Sequence, residues 1–560
     1  MADKIYDTSK LSTFRGALWL FALIVIFVAV KKLLAIGRRP KGYPPGPPTI
    51  PVLGNLHQFP VKGLHTAFQK WTEEYGPIVS LKMGTQTMIL CGTDEVVKEL
   101  MEKRSASTSR KVDMFIRTFG DNLNIAFRDN DEIWRKQRKM YSTRLNSRGA
   151  NSYIPYQEFE SVELLSKILD HPSGFRVHLM RFATSIASSI AYGLRFPEAD
   201  DPDIKNLIEW FDRTTALGGK LQIADWFPIF RPVFRFLPKF MNPIKQEIEE
   251  LEKMETKLWV RHTTAARALI DAGKPHASFV RDLQAKTESE KDRLTEKEIL
   301  FSAGHAYAAA TDTQANTLAA FVKAMALYPE VQAKAQREID AVIGQDRMPT
   351  WSDRPNLPYV RAVVEETLRW LPVTLIGPPM PHALSKTESY MGYTLPEGAA
   401  IINCIWTINN SEQRSPHPRD FDPSRHRDED TLHEGIGINP DTVKRPHTTF
   451  GVGRRTCPGY HVAMRTLFMG MSRILWAFNI SHKTDGAGNP IPIDRDAIVD
   501  ALVTGPQPFQ CEIKPRSAKH ETMIREEWAK AERELDHQGH YNDDFFGRFN
   551  SSSTNQGENR

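Results

Sequence analysis

From Gly16 to Val30 the chain runs without a single polar or charged side chain, and Leu33 to Ile36 extend the run beyond Lys31 and Lys32. Together these positions make about twenty-one residues, the length of helix that the hydrocarbon core of a bilayer requires. Lys31 and Lys32 sit near one end, where long side chains reach the headgroups. A cleaved secretory signal is the competing reading, but no small-x-small cleavage site follows the run. Lys31, Lys32, Arg38, Arg39 and Lys41 downstream outweigh Lys4, Lys10 and Arg15 upstream, so the bulk of the chain is predicted to face the cytosol.

Tyr43-Pro-Pro-Gly-Pro-Pro-Thr-Ile-Pro51 follows at once. Proline removes amide donors and restricts its neighbours, so this is no helix. It reads as a stiff spacer; a proline-rich ligand for another domain has the same composition. Beyond it the pattern is mostly helical, with strand candidates at Ile78–Lys82, Thr87–Cys91 and Ala400–Ile405. The longest helix should begin at the capping box Thr295-Glu-Lys-Glu298 and end near Leu327, before Pro329. Such a helix spans on the order of 50 Å and must be buried. Its centre is accordingly small and apolar, with Ala303, Gly304, Ala306, Ala308, Ala309 and Ala310. A further helix is expected over Tyr359–Trp370. After Lys514 the pattern turns polar, with a charged helical stretch from Glu521 to Asp536, and an exposed, partly disordered tail is expected.

The chain has 560 residues, room for several ordinary domains, yet no Gly/Ser- or Pro-rich linker breaks it between about residue 60 and 510. One large domain fits better. The expected division is a short segment 1–15, an anchor 16–36, a basic and proline-rich hinge 37–55, a catalytic domain 56–514 and a tail 515–560. Cys91, Cys404, Cys457 and Cys511 show no Cys-x-x-Cys spacing, which argues against a zinc site or disulfide scaffold and suits a reducing compartment. A net charge of +5 is too weak and mixed to suggest nucleic acid. Neither a Gly-x-Gly-x-x-Gly after a strand nor a P-loop is visible, so any electrons come from outside the chain.

The candidate chemistry centres on Phe450-Gly-Val-Gly-Arg-Arg-Thr-Cys-Pro-Gly459. It sets Cys457 in a glycine-rich turn with Arg454 and Arg455 just upstream, where positive charge and backbone N–H groups favour a thiolate. Gly453 and Gly459 allow positive φ and let backbone lie against a large flat ligand, a haem with Cys457 as axial ligand. The plainer alternative is an inert buried cysteine, which needs neither the arginines nor the glycines. In the long helix, Thr311-Asp312-Thr313 interrupts the alanines with groups that are costly to bury unpaired. They have a task, or Thr313 bonds back to the carbonyl four residues earlier and Asp312 sits in a local ion pair. Glu366 and Arg369 share one helical face, and an exposed pair would be trivial. Trp134 and Arg138 place an N–H donor and a cation on one face, suited to gripping a carboxylate.

Phe450, Gly453, Arg455, Cys457 and Gly459 fit the Phe-x-x-Gly-x-Arg-x-Cys-x-Gly loop of the cytochrome P-450 family, and the chain resembles that family over roughly residues 42 to 514. The resemblance implies a mainly α fold with small β-sheets, one large domain around a buried haem b, and an N-terminal transmembrane helix. By the same resemblance Phe450 packs beside the sulfur, Arg455, Trp134, Arg138 and His382 hold haem propionates, and Gly459 opens the helix running through His461 to Phe468. Asp312 and Thr313 match the family's acid and threonine beside the oxygen-binding face. Thr313 would contact dioxygen, and Asp312 would connect a water chain that delivers protons. Ala310 stands where the family often has glycine, and Gln314 where it has a second hydroxyl residue. Glu366 and Arg369 match its buried Glu-x-x-Arg pair, which Arg425 joins from Phe421-Asp-Pro-Ser-Arg-His426, with Ser424 and His426 in place of the commoner glutamate and aromatic.

The activity implied is a membrane-anchored monooxygenase at the endoplasmic reticulum. It would draw NADPH electrons through a cytochrome P-450 reductase, with cytochrome b5 as a further donor, and resembles fungal enzymes of secondary metabolism. Arg135, Lys136 and Lys139 form either a solvated face or the dock for an acidic reductase. Substrate contacts are expected from Met114–Phe127, Phe301–Ala309, Val373–Gly377 and Leu502–Gly505, which offer Phe115, Phe119, Phe127, Tyr307, Leu375 and Ile376 to a lipophilic molecule. Two rivals stay open. One is a haem-thiolate isomerase or dehydratase working without a reductase; the other is a non-catalytic haem protein. Asp312 and Thr313 speak against both.

Overall fold

The computed structural model describes residues 8–118, 122–285, 289–377, 381–426 and 433–554. Its N-terminal helix, Thr8–Ala35, is 28 residues long, and no part of its apolar portion Phe14–Ala35 is buried in the fold. Trp19, Phe21 and Ile24 are open to the surroundings, a surface that only a non-aqueous neighbour would cover favourably. Lys31 reaches back over the Phe27 ring, 5.0 Å from its centre.

The proline segment is pinned rather than free. Arg39 donates to the Gly46 and Pro47 carbonyls at 2.9 and 2.8 Å and to Ser80 Oγ at 3.0 Å. Asn55 Nδ2 donates to Pro47 O at 3.0 Å while its Oδ1 accepts from Lys82 N at 2.8 Å. Gly54 is required here: it takes φ +66, and a Cβ would lie 2.1 Å from Lys82 O. Side-chain donors thus satisfy carbonyls of the proline segment, which has few N–H groups of its own.

The strands are β1 (Ile78–Met83), β2 (Gln86–Cys91), β3 (Arg110–Lys111), β4 (His382–Ala383), β5 (Glu388–Tyr390), β6 (Tyr393–Leu395), β7 (Ala400–Asn403), β8 (Phe478–His482) and β9 (Cys511–Pro515). They form one sheet in the order β1-β2-β7-β4-β3 and two strand pairs, β5 with β6 and β8 with β9. β2 and β7 run parallel, with Cys91 opposite Asn403. Lys111 and His382 are paired across β3 and β4. The third strand candidate is two residues too long at its end: after Asn403 the chain turns, and Ile405–Asn409 is a short helix.

The long helix runs Glu296–Leu327, 32 residues, with both bonds of the Thr295–Glu298 capping box formed. It is buried along most of its length, as its alanines require. Gly304 is the contact point with Trp259, whose indole lies 2.3 Å from where a Cβ would stand. The Glu366 helix is Pro358–Trp370, and the helix after Cys457 is Tyr460–Ala477.

The expected exposed tail is corrected over its described part. Helices Ala518–Glu532 and Asp543–Thr554 return onto the domain, and Tyr541, Phe545 and Phe546 are buried. The Tyr541 and Phe545 rings stack at 3.8 Å, against Tyr156 and Phe159. Tyr541 Oη donates to Glu160 at 2.9 Å, a member of a buried cluster with Arg181 (2.7 Å) and Arg195 (3.1 Å). Trp528 and Phe549 pack against the same core, with Ile524 and Ala531 buried beneath the first of the two helices.

Candidate active site

The Cys457 turn is shaped by glycine and by distant partners. Gly453 takes φ +64, and a Cβ there would meet Met101 O at 2.1 Å. No other residue fits both constraints. Cys457 N donates to Phe450 O at 2.8 Å, closing the turn. Glu102 Oε1 accepts from Gly453 N at 2.8 Å and from Arg445 at 2.5 Å, and Arg445 also donates to Gly451 O at 2.7 Å. Gly459 is corrected: its φ is −86, an ordinary value, and it caps the Tyr460–Ala477 helix. A Cβ there would stand 3.8 Å from Cys457 Sγ, an ordinary contact, so no neighbour within the chain requires glycine at this position. Phe450 packs edge-on to Tyr460, ring centres 4.8 Å apart.

The charges around the sulfur also differ from expectation. Arg454 is exposed. Arg455 turns away to donate to Ser109 O at 2.9 Å and Ile125 O at 3.2 Å, with its guanidinium 4.1 Å above the Trp134 ring. The cation acting on Cys457 is Arg138; burial still pushes the thiol pKa up, against the pull of the Gly459 N–H and Arg138. A metal ion is therefore what would hold this sulfur as a thiolate.

Cys457 opens onto a cavity of ≈ 370 Å³ whose wall also carries Trp134, Arg138, His382, Phe450, Gly459, Arg455 and Thr313. Its lining is otherwise largely apolar. Lys111, not foreseen from sequence, joins them. Burial lowers the Arg455 pKa to about 10 and drives His382 well below its ordinary value, with Lys111 and Arg455 adding repulsion to His382. Arg455 Nη2 and His382 Nδ1 have no partner among the described residues. A buried guanidinium with one nitrogen unpartnered, beside an unpartnered imidazole nitrogen, is suited to an anionic ligand. A soft sulfur facing the same cavity as a carboxylate-binding cation cluster fits haem, with Cys457 on iron and the cations on propionates.

On the long helix, Thr313 lines the cavity and Asp312 does not. Thr313 Oγ1 donates to Ala309 O at 2.9 Å, the back-bonded alternative. Asp312 has no ion pair among the described residues; burial raises its pKa, and Asp212 on the facing helix raises it further. Gln314 is buried on the cavity wall with Oε1 unpartnered. Of the expected substrate residues, Phe127 and Phe301 line a neighbouring cavity. Phe115, Tyr307 and Leu375 are instead buried, and Ile376 packs with Trp226 and Phe68. Phe119 lies outside the described residues. From Leu502–Gly505, Thr504 N donates at 2.8 Å to the carbonyl of Val373, a residue of the cavity wall.

Behind the cysteine turn, Glu366 and Arg369 are joined by two bonds of 2.7 Å, both fully buried. Arg425 approaches Glu366 at 3.5 Å, and His426 Nε2 lies 2.9 Å from its other oxygen. Burial alone would raise Glu366, but Arg369 and His426 bring it down to about 2. Next to it His447 lies 3.0 Å from Glu365, and Thr449 donates to Leu368 O at 2.8 Å. The helix therefore holds the segment leading into the Cys457 turn.

The sequence model of the cytochrome P-450 family matches residues 44–513. The chain belongs to the cytochrome P-450 family. It is 38% identical over 513 residues to the cytochrome P-450 monooxygenase virE of Hypocrea virens, covering 91% of this chain and 92% of the relative. It is 37% identical to the monooxygenase fogE of Aspergillus ruber, covering 92% and 94%. A solved zebrafish cytochrome P-450 structure with abiraterone shares the fold at a TM-score of 0.62 and 22% identity, over 81% of this chain and all of the other. This P-450 is thus a haem-binding monooxygenase, mainly helical with small sheets, and its N-terminal apolar helix is compatible with a membrane anchor.

Proposed function

We propose that this P-450 is a membrane-anchored haem-thiolate enzyme that inserts one atom of dioxygen into a C–H or C=C bond of a lipophilic small molecule in fungal secondary metabolism. The observation that carries the reading is the single cavity wall shared by Cys457, the cation cluster and Thr313. When bound, haem supplies the iron that activates dioxygen, with cysteinate donation favouring O–O cleavage.

The chain's own residues orient and supply protons. Arg138, Arg455, Trp134 and His382 would fix the propionates, and Cys457 would hold the iron. Thr313, bonded to Ala309 O, offers its lone pairs to the cavity and donates its proton there once the hydroxyl turns about the Cβ–Oγ bond. Asp312 lies near enough to the exposed Asp212 to feel its charge, and that is the side from which protons would be delivered. Its raised pKa suits a group that both takes and releases protons. Glu366, Arg369 and Arg425, with His426, are structural.

Electrons reach the site from an NADPH-dependent cytochrome P-450 reductase, with cytochrome b5 as a further donor. Lys136 and Lys139 are paired with Glu132 and Asp292 at 3.1 and 2.6 Å, so the docking charge rests more on exposed Arg135 and Arg454. The endoplasmic reticulum is the membrane proposed, with the catalytic domain cytosolic. A second apolar surface supports this: Ile229, Val233, Phe236, Phe240 and Met241 are all more than half exposed and interleaved with Arg235 and Lys239, the composition of a membrane-surface segment.

The test uses membranes supplied with NADPH, a microsomal reductase and isotopically labelled dioxygen, with compounds chosen because they shift the haem absorption band. One labelled oxygen atom per product is expected. Turnover that needs peroxide but no reductase, or product without label, would contradict the proposal. Asp312→Asn should lower kcat by about a hundredfold while leaving the band shift intact.

A further inference from the structure

A buried cation near the C-terminal end of the long helix has no place in this chemistry. Lys323 is 1% exposed and lies outside the wall of the Cys457 cavity. Its Nζ donates to Ala497 O at 3.0 Å. The same carbonyl accepts from Gln507 N at 3.1 Å, so Lys323 grips the bond that closes the base of a hairpin over residues 497–507. Within that hairpin Ile498 pairs with Pro506, and Val499 N donates to Gly505 O at 2.8 Å. The hairpin lies along the long helix. A Cβ on Gly505 would stand 2.4 Å from Asn316 Oδ1, and Asn316 and Lys323 share one helical face, about 10 Å apart along the axis. Next to Gly505, Thr504 N holds the carbonyl of Val373, on the cavity wall.

Three cations meet at the hairpin base. Arg419 Nε donates to Asp496 at 3.0 Å, and Arg176 Nη1 donates to Pro506 O at 2.9 Å. The arginines keep their charge at any working pH; the lysine does not. Burial lowers its pKa to about 8, against the pull of Asp494 and Asp496, while Arg419 and Arg176 push it further down. These four are the charged groups that act on it, from the hairpin base, the segment before Phe421 and the first turn of the helix Phe175–Tyr192. An apolar side chain of this length would be buried at lower cost. What the lysine adds is a hold on Ala497 O, and that hold is stronger from an ammonium than from a neutral amine.

We propose that Lys323 is a positioning residue for substrate binding: in its charged form it clamps the 497–507 hairpin to the long helix, and the hairpin fixes Val373 on the cavity wall. Affinity for a ligand that fills the cavity therefore falls as the lysine loses its proton. The inference rests on the monooxygenase reading of the cavity.

The test uses the full-length holoenzyme in membranes and two probes of the haem absorption band, 1-methylimidazole and 1-benzylimidazole. They share one ring, so the titration of the ring cancels in the ratio of their Kd values, and the ratio reads how well the cavity wall receives the benzyl group. Between about pH 7 and pH 9 the preference for the benzyl ligand should fall about fivefold, with its midpoint near the lysine's pKa of about 8. In Lys323→Met the preference should be low and flat across that range. Asp494→Asn, at an exposed position, should move the midpoint to lower pH. A flat preference in the intact protein, a fall that persists in Lys323→Met, or an unmoved midpoint in Asp494→Asn overturns the inference. The pH series and the Asp494→Asn shift decide the matter even if Lys323→Met does not fold. A band shift with 1-methylimidazole beside a flat benzyl preference sinks this inference and leaves the monooxygenase reading standing; no shift with either probe sinks both.

Discussion

The site depends on positions where one residue type alone satisfies the geometry. Gly453 is the clearest, with positive φ and the Met101 carbonyl where a Cβ would be. Gly453→Ala should give folded protein that incorporates little haem, seen as a collapse of haem absorbance per mole of chain. Glu366 makes a second prediction. Its pKa in the fold, about 2, lies below the roughly 4.3 of a free glutamate. Its stabilisation is therefore full above the unfolded value and is lost as pH falls through the folded one. Acid denaturation should include a step between about pH 4 and pH 2 that Glu366→Gln removes. Arg369→Ala, which strands a buried carboxylate, should cost about 3–5 kcal/mol in denaturant unfolding. Cys457, Glu366 and Arg369 were legible because their motifs are local in sequence. Glu102, Lys111 and His447 were not. Glu102 stands 351 positions from Gly453, and a lone acid or base carries no signal until the fold brings its partner to it. His426 read as a departure from pattern, yet it supplies a bond to Glu366.

Among the elements, the long helix was readable end to end because its capping box and the proline after it are chemical punctuation. Its interior was less so. The back-bond of Thr313 and the orientation of Asp312 toward Asp212 depend on side-chain direction, which helical spacing alone leaves open. The C-terminal helices were misjudged for the opposite reason: their anchoring residues, Ile524, Trp528, Tyr541, Phe545, Phe546 and Phe549, are set among many charged ones. Tyr541 ties them to Glu160 and stacks on Phe545. Tyr541→Ala should destabilise the protein by about 3–5 kcal/mol, measured by denaturant unfolding, whereas Tyr541→Phe should lose only the hydroxyl's bonds to Glu160 and Ser189, about 1–3 kcal/mol. Equal effects of the two would show that ring packing contributes little.

For the whole molecule, fold class and family were plain from the order of the motifs, while the shape of the substrate space was not. Phe115, Tyr307 and Leu375 looked like pocket residues and are core. Two apolar surfaces, the N-terminal helix and the segment around Phe236 and Phe240, are left for a membrane. A chain lacking residues 1–36 should still float with anionic vesicles, and replacing Phe236 and Phe240 by serine in that chain should release it.

The central claim is that Cys457 is the thiolate ligand of a haem that can be reduced from outside. It is tested most directly by reducing the membrane-bound protein with NADPH and a microsomal reductase under carbon monoxide and recording the difference spectrum. The long-wavelength band of a thiolate-ligated ferrous carbon monoxide adduct is predicted, and it should vanish in Cys457→Ala. No such band from the intact protein, or an unchanged one in Cys457→Ala, would contradict the account.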